Sequence, residues 1–429
     1  MTFETLDVLT LFIFLAGFFL FINIHFLKLP SSIGLMIMAL TLSLAILGCG
    51  LLIPGFQETT FRILEEFEYR EVIFEVILTF QLFAGALHID FKRLAEEKGP
   101  VLILAVFGVI ISTVVTGVGT YYILNWIGLH LDLIYCLVFG ALIAPTDPIA
   151  VISTIKRYNI SEKMEIRIAG ESLFNDGIAV VVALALLELE TEEIDHIIHM
   201  RDLVWIFIKD ISGGVIIGVI LGYTCFKLLE FIDNDQSELE ILVTVALLMT
   251  STQLAHWEHL EVSGKQAAVV MGLIVGNEGK TDKLVGAASD YVFKFWHLME
   301  QSFNAILYVL IGMEMLIIPL HLNYFSAGFF AFVIVLFARW LGVFVPIKAL
   351  SYKHKFDPKT IPIMAWGSLR GGIPVALSLT LPEFEGKNLV ITLTYVVVVV
   401  SILYQGLTVN YMLKNMVGRR PIIEDEKKK

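Results

Sequence analysis

The stretch GESLFNDGIAVVVALALL, residues 170–187, sets Glu171, Ser172, Asn175 and Asp176 at the head of a run as apolar as a membrane interior. At helical spacing Ser172 and Asp176 are i,i+4, as are Glu171 and Asn175, so the four groups form two adjacent stripes on one side of a helix. A charge at the centre of a membrane helix costs at least ~2.5–3.5 kcal/mol on insertion scales, so two carboxylates this close require partners, protons or bound cations. A structural ion pair is the plainer alternative, and it suits Glu171 better than Asp176.

A second cluster lies in LIYCLVFGALIAPTDPIAVIS, residues 133–153, where two prolines flank Thr146 and Asp147. Each proline removes a backbone donor and clashes with the preceding turn, so a helix breaks there. Unwound backbone is tolerated in a membrane only where it lines a cavity or is buried in protein. A kinked structural helix explains the prolines but not the carboxylate between them. WGSLRGGIPVALSLTL, residues 366–381, carries a matching interruption, with Gly371, Gly372 and Pro374 just after Arg370.

Only Lys209, Arg339 and Arg370 are basic within the apolar runs. Lys209 precedes Asp210 near a run's end, where local pairing or snorkelling accounts for it. Arg339 is a candidate to neutralise Glu171; Arg370 can do the same, or can offset the dipole ends of broken half-helices. Asp147 and Asp176 then have no assigned cationic partner. A carboxylate so placed is protonated or cation-bound, and protons and metal cations compete for it. Competition combined with alternating exposure is sufficient for antiport. Oxygen ligands from Asp, Ser, Thr and backbone carbonyls suit Na⁺, K⁺ or Li⁺. Asn175 cannot titrate, which points to one proton per cation and electroneutral exchange, unless Asp147 titrates as well. Glu314 and Glu75 are further acids within spans, as readily structural as functional.

The elements that must hold these groups follow from composition. Of 429 residues, 57% are hydrophobic and 17% charged, with mean hydropathy +0.80, too little charge to cover a soluble surface. Apolar runs of about 18 or more residues recur along the chain, and the period-2 segments of a membrane barrel are absent. The first run, near 6–26, follows an acidic start without a small-residue cleavage site and reads as a retained helix. Cys49, Cys136 and Cys225 sit in apolar runs and read as buried free thiols.

Thirteen spans with an outer N-terminus put twenty-two basic residues on the inner side and five on the outer, the positive-inside signature. The outer segments at 65–71 and 188–195 are acidic, as solvated turns or as a surface that concentrates cations. The Asn159-Ile160-Ser161 acceptor pattern falls on the inner side and is discounted. The two breaks fall in the fifth and twelfth spans, seven apart. If spans 1–6 and 8–13 are six-helix repeats, the repeats are inverted, the arrangement of transporters with a midplane ion site. The expected fold class is an all-α polytopic membrane protein with crossed broken helices.

PTDPIAV (145–151), GESLFNDGIAVV (170–181), FARWLG (337–342) and WGSLRGGIPVALSL (366–379) resemble the monovalent cation/proton antiporters of the NhaP and NHE type. The resemblance spans essentially the whole chain. It implies the NhaA-like antiporter fold and a prokaryotic homodimer in lipid. Residues 1–90 and 202–320 would supply the dimerisation domain with linker helix 7, and 101–189 and 323–413 a mobile core moving like an elevator. Residues 414–429 would be a short cytoplasmic tail. By motif match Asp176 would be the ion- and proton-binding carboxylate, with Ser172 and Thr146 as ligands. Asn175 and Asp147 would support the site, and Glu171 would pair with Arg339.

An intramembrane aspartyl protease would use two membrane aspartates as a dyad, but leaves the prolines, Asn175 and the second break unexplained. A cation-coupled organic-solute symporter of the same architecture would need a larger polar cavity, and a passive channel would lack proton coupling. No phosphate-cradling GxxxxGK run occurs, so no ATP is expected to drive transport. No cofactor and no nucleic-acid partner are expected.

Overall fold

A computed structural model describes residues 5–52, 70–147, 160–188, 200–232, 236–255, 262–278, 287–316, 321–379 and 381–417, with isolated positions 152, 155, 158, 257 and 318. Pro148, Asn159, most of both acidic outer segments and the end of the tail lie outside them, as does the Glu75 side chain.

The described residues form sixteen α-helices and no strand. In order they are α1 (Thr5–Ile22), α2 (Ser31–Leu52), α3 (Arg70–Leu87), α4 (Phe91–Glu96), α5 (Lys98–Ile127), α6 (Leu133–Leu142), α7 (Glu162–Glu188) and α8 (Met200–Phe231). There follow α9 (Ser237–Ala255), α10 (Gly264–Glu278), α11 (Ala287–Glu314), α12 (Leu322–Leu350), α13 (Thr360–Trp366), α14 (Ile373–Leu379), α15 (Lys387–Val400) and α16 (Gly406–Val417). π-Helical turns, Asn23–Leu27 and Ser401–Gln405, extend α1 and join α15 to α16.

Among the described residues eight helices are long and apolar enough to cross a membrane, and Val76–Leu87 and Leu133–Leu142 are shorter apolar helices. Large apolar side chains such as Phe14, Phe18, Phe329, Val333 and Phe337 point outward, as expected where the solvent is lipid. This corrects one expectation. Cys136 and Cys225 are buried, but Cys49 is exposed on α2. A lipid-facing stripe is as apolar as a core, so hydropathy does not separate the two.

The chain divides into two compact units, the first Met1–Val72, Gly99–Glu190 and Ala305–Lys429, the second Ile73–Lys98 and Thr191–Asn304. In the second, Gly214, Gly218 and Gly222 form a small-residue seam along α8. A Cβ on Gly218 would lie 2.6 Å from the Ala267 carbonyl oxygen, and one on Gly214 2.5 Å from that of Ser263. Backbones this close are how helices associate where no hydrophobic force drives them. Trp296 anchors the rest of this unit's core, its ring edge-on to Phe83 and its Nε1 donating to Thr244 Oγ1 at 3.0 Å. Gly218→Val should push α8 from α10 at a cost of roughly 1–3 kcal/mol or more, read as a lower melting temperature in detergent.

The first unit carries both helix breaks and the charged stripe of residues 171–176. Ser161 precedes α7 and its carbonyl accepts from the Met164 and Glu165 amides, while Glu162 and Glu165 place negative charge at the helix's positive end. A Cβ on Gly140 of α6 would lie 2.5 Å from the Thr113 carbonyl oxygen of α5, so these two helices also touch backbone to backbone. A core of Leu104, Ile168, Val343, Ile363, Met364 and Leu413 ties α5, α7, α12, α13 and α16 together and fixes the helix ends around the site.

Candidate ion-binding site

Helix α6 stops at Leu142, because Pro145 has no amide to donate and disfavours helical geometry in the residue before it. The chain then runs unwound through Thr146 to Asp147. Helix α13 likewise stops at Trp366, and residues 367–372 are non-helical before α14. The two unwound segments meet antiparallel, with the Asp147 amide donating to the Leu369 carbonyl at 2.8 Å. Gly371 lies over the crossing, where a Cβ would come within 3.1 Å of the Asp147 Cβ.

Breaking two helices in an apolar setting strands backbone carbonyls, each costly to leave unmade. Side chains satisfy them. Arg370 Nη1 donates to the carbonyls of Ala144 (2.6 Å) and Pro145 (3.0 Å), so its charge sits at the C-terminal end of α6. Ser172 Oγ donates to the Thr146 carbonyl at 2.5 Å. On the second break the Arg370 amide donates to Ser401 Oγ (3.0 Å), Ser401 donates to Gln405 Oε1 (2.6 Å), and Gln405 Nε2 donates to the Trp366 carbonyl (2.9 Å). The π-helical turn Ser401–Gln405 presents both side chains of that clamp.

Helix α7 supplies the charged stripe. Glu171 is gripped by Arg339 of α12 through two parallel bonds, Nη1 to Oε1 at 2.6 Å and Nη2 to Oε2 at 2.7 Å. The two side chains are only 2% and 4% exposed. Arg339 Nε donates to Ser368 Oγ at 2.6 Å, and that hydroxyl donates to the Met364 carbonyl. Of the two arginines open to Glu171, Arg339 is the one that holds it. Asn175 Nδ2 donates to Thr146 Oγ1 (2.9 Å) and, more weakly, to Glu171 Oε1 (3.3 Å), which joins the ion pair to the first break. Its Oδ1 is buried without a hydrogen-bond partner among the described residues. Asp176 follows on the same helix, partly buried and one turn beyond Ser172. Asp147 Oδ2 accepts from the Tyr308 hydroxyl at 2.9 Å.

Thr146, Asp147, Glu171, Ser172, Asn175, Arg339 and Arg370 are thus linked by these contacts around one crossing, with Asp176 on the same face of α7. Lys209 is exposed, and Glu314 is buried at the end of α11. Four participants escaped the sequence reading: Ser368, Tyr308, Ser401 and Gln405. The last two are a polar i,i+4 pair inside an apolar run, the same signal that marks Ser172 and Asp176. Gln405→Leu leaves the Trp366 carbonyl and the Ser401 hydroxyl unmatched. It should destabilise by about 1–3 kcal/mol, read as a fall in detergent melting temperature that Ser401→Ala in the same chain does not double.

Comparison with known proteins agrees with this architecture. A family model described as sodium/hydrogen exchanger, transmembrane, matches residues 9–415. The Na(+)/H(+) antiporter NhaP of Pseudomonas aeruginosa is 39% identical over 427 residues, covering 98% of this chain and 99% of that protein. The Na(+)/H(+) antiporter NhaH of Halobacillus aidingensis is 32% identical, covering 91% and 93%. The solved structure of the sodium proton antiporter MjNhaP1 from Methanocaldococcus jannaschii shares the fold, with TM-score 0.74 at 21% identity over 97% of this chain and 99% of that one. The chain belongs to the sodium/hydrogen exchanger family, as a multi-pass membrane transporter of the cation/proton antiporter class and not an enzyme.

Proposed function

We propose that the protein exchanges Na⁺, or K⁺ or Li⁺, for H⁺ at a site built on Asp176, with Ser172, Thr146 and Asp147 as further oxygen donors and Asn175, Glu171, Arg339 and Arg370 holding them in place. The observation that carries this reading is the convergence on Thr146: Ser172 takes its carbonyl and Asn175 its hydroxyl, so the unwound chain is drawn against α7 one turn from Asp176. Oxygen donors of mixed kind at an unwound crossing suit a hard monovalent cation. The names of the relatives favour Na⁺ as the first ion to test.

Proton and cation compete for Asp176, one for one. Asn175 supports that stoichiometry in two ways, since it cannot titrate and its amide is committed to Thr146 and Glu171. Alternating access proceeds by an elevator movement of a core (101–189 and 323–413) against a dimerisation domain (1–90 and 202–320) in a homodimer. The topology is thirteen spans in two inverted repeats, N-terminus outside and C-terminus cytoplasmic, supported by the positive-inside asymmetry.

In proteoliposomes with an imposed pH gradient, adding NaCl, KCl or LiCl in turn should dissipate the gradient, and clamping the membrane potential should leave the rate unchanged. The rank of the salts identifies the substrate. No response to any alkali cation from folded protein would sink the antiport reading in favour of an organic-solute symporter.

A further inference from the structure

Tyr308 is a buried phenol that neither the motifs nor the ion-pair network require. It lies on α11, and its hydroxyl donates to Asp147 Oδ2 at 2.9 Å, at the residue where the two unwound segments cross. Its neighbours on α11 add packing to the same spot. A Cβ on Gly372 would meet Leu307 Cδ1 at 2.8 Å and Ile311 Cδ1 at 2.9 Å. One helix face, residues 307, 308 and 311, therefore touches both broken segments.

We propose that Tyr308 is a conformational latch: its bond to Asp147 holds the crossed segments against α11 in the state seen here, and that bond breaks each time the site changes sides. This rests on the alternating-access reading above, in which α11 belongs to the stationary part and Asp147 to the moving one, a division by movement that cuts across the first packing unit, where Tyr308 and Asp147 both lie. A hydrogen bond to a carboxylate is stronger than a neutral one, and its loss shifts a two-state balance by about tenfold or more. Tyr308 is a positioning residue in this scheme, since it acts through Asp147.

The test is Tyr308→Phe, which keeps the ring and removes the donor. Cation-driven proton flux is measured with the cation added from each face of proteoliposomes of known orientation, beside wild type. Removing a latch changes only the balance between the two facing states. The half-saturation constant for Na⁺ should therefore fall severalfold on one face and rise severalfold on the other, while flux persists. Tyr308→Gln, which restores a donor of different reach, should return both constants part of the way. Constants that move in the same direction on both faces, or not at all, would overturn the latch, because a distorted site weakens binding from either side. Wild-type protein without cation-driven flux would instead overturn the antiport reading, and the latch with it.

Discussion

Asp176→Asn should bring cation-driven proton movement down to the level of protein-free vesicles, while the purified protein keeps a melting temperature within a degree or two of wild type (about 0.5 kcal/mol). The exchange replaces one carboxylate oxygen by an amide of nearly equal volume at a partly buried position. The contacts that hold the crossing in place run through Ser172, Asn175, Arg339 and Arg370, and none of these is altered. What is lost is the carboxylate proposed to carry the proton and to balance the cation's charge. Asp176→Glu, which keeps the charge and moves it outward by one methylene, should retain slow exchange with a changed salt ranking. Full activity in Asp176→Asn would mean that the titrating carboxylate lies elsewhere, with Asp147 the first alternative.

The second large effect concerns the ion pair. Arg339→Met leaves the Glu171 carboxylate buried with its two strongest donors gone, and breaking a buried pair from one side costs about 3–5 kcal/mol. Glu171→Gln should be milder, because the amide still accepts from Arg339. The double variant Glu171→Gln with Arg339→Met should lose less than the two single losses combined, because no uncompensated charge remains. Melting temperatures of the four proteins in detergent check this. Additive losses would show that the pair contributes little beyond its separate contacts to Ser368 and Asn175. Transport should fall in all three variants, since Asn175 and Thr146 lose their common anchor.

Much of the site is legible in the chain because a membrane makes polar groups conspicuous. Glu171, Ser172, Asn175 and Asp176 stand out against an apolar run, and the prolines and glycines mark both breaks. Spacing alone leaves Arg339 and Arg370 as rivals for Glu171, since both lie far from it in sequence. The fold decides, with Arg370 spent on the Ala144 and Pro145 carbonyls and Arg339 on the carboxylate. Tyr308, Ser401 and Gln405 are harder to read, because an aromatic or a lone serine in an apolar helix is ordinary packing until the backbone group it satisfies is known. The exposure of Cys49 is hidden for the opposite reason, since lipid and protein interior select the same side chains.

The central claim is that a proton and a cation exclude one another at Asp176, and the most direct measurement is the half-saturation constant for Na⁺ as a function of pH in wild-type proteoliposomes. Competition for one carboxylate requires that constant to rise by about tenfold for each unit the pH falls on the acid side, with the maximal rate restored by enough Na⁺. A half-saturation constant that stays level while the maximal rate falls with acid would place the proton and the cation on separate groups, and would contradict the shared site.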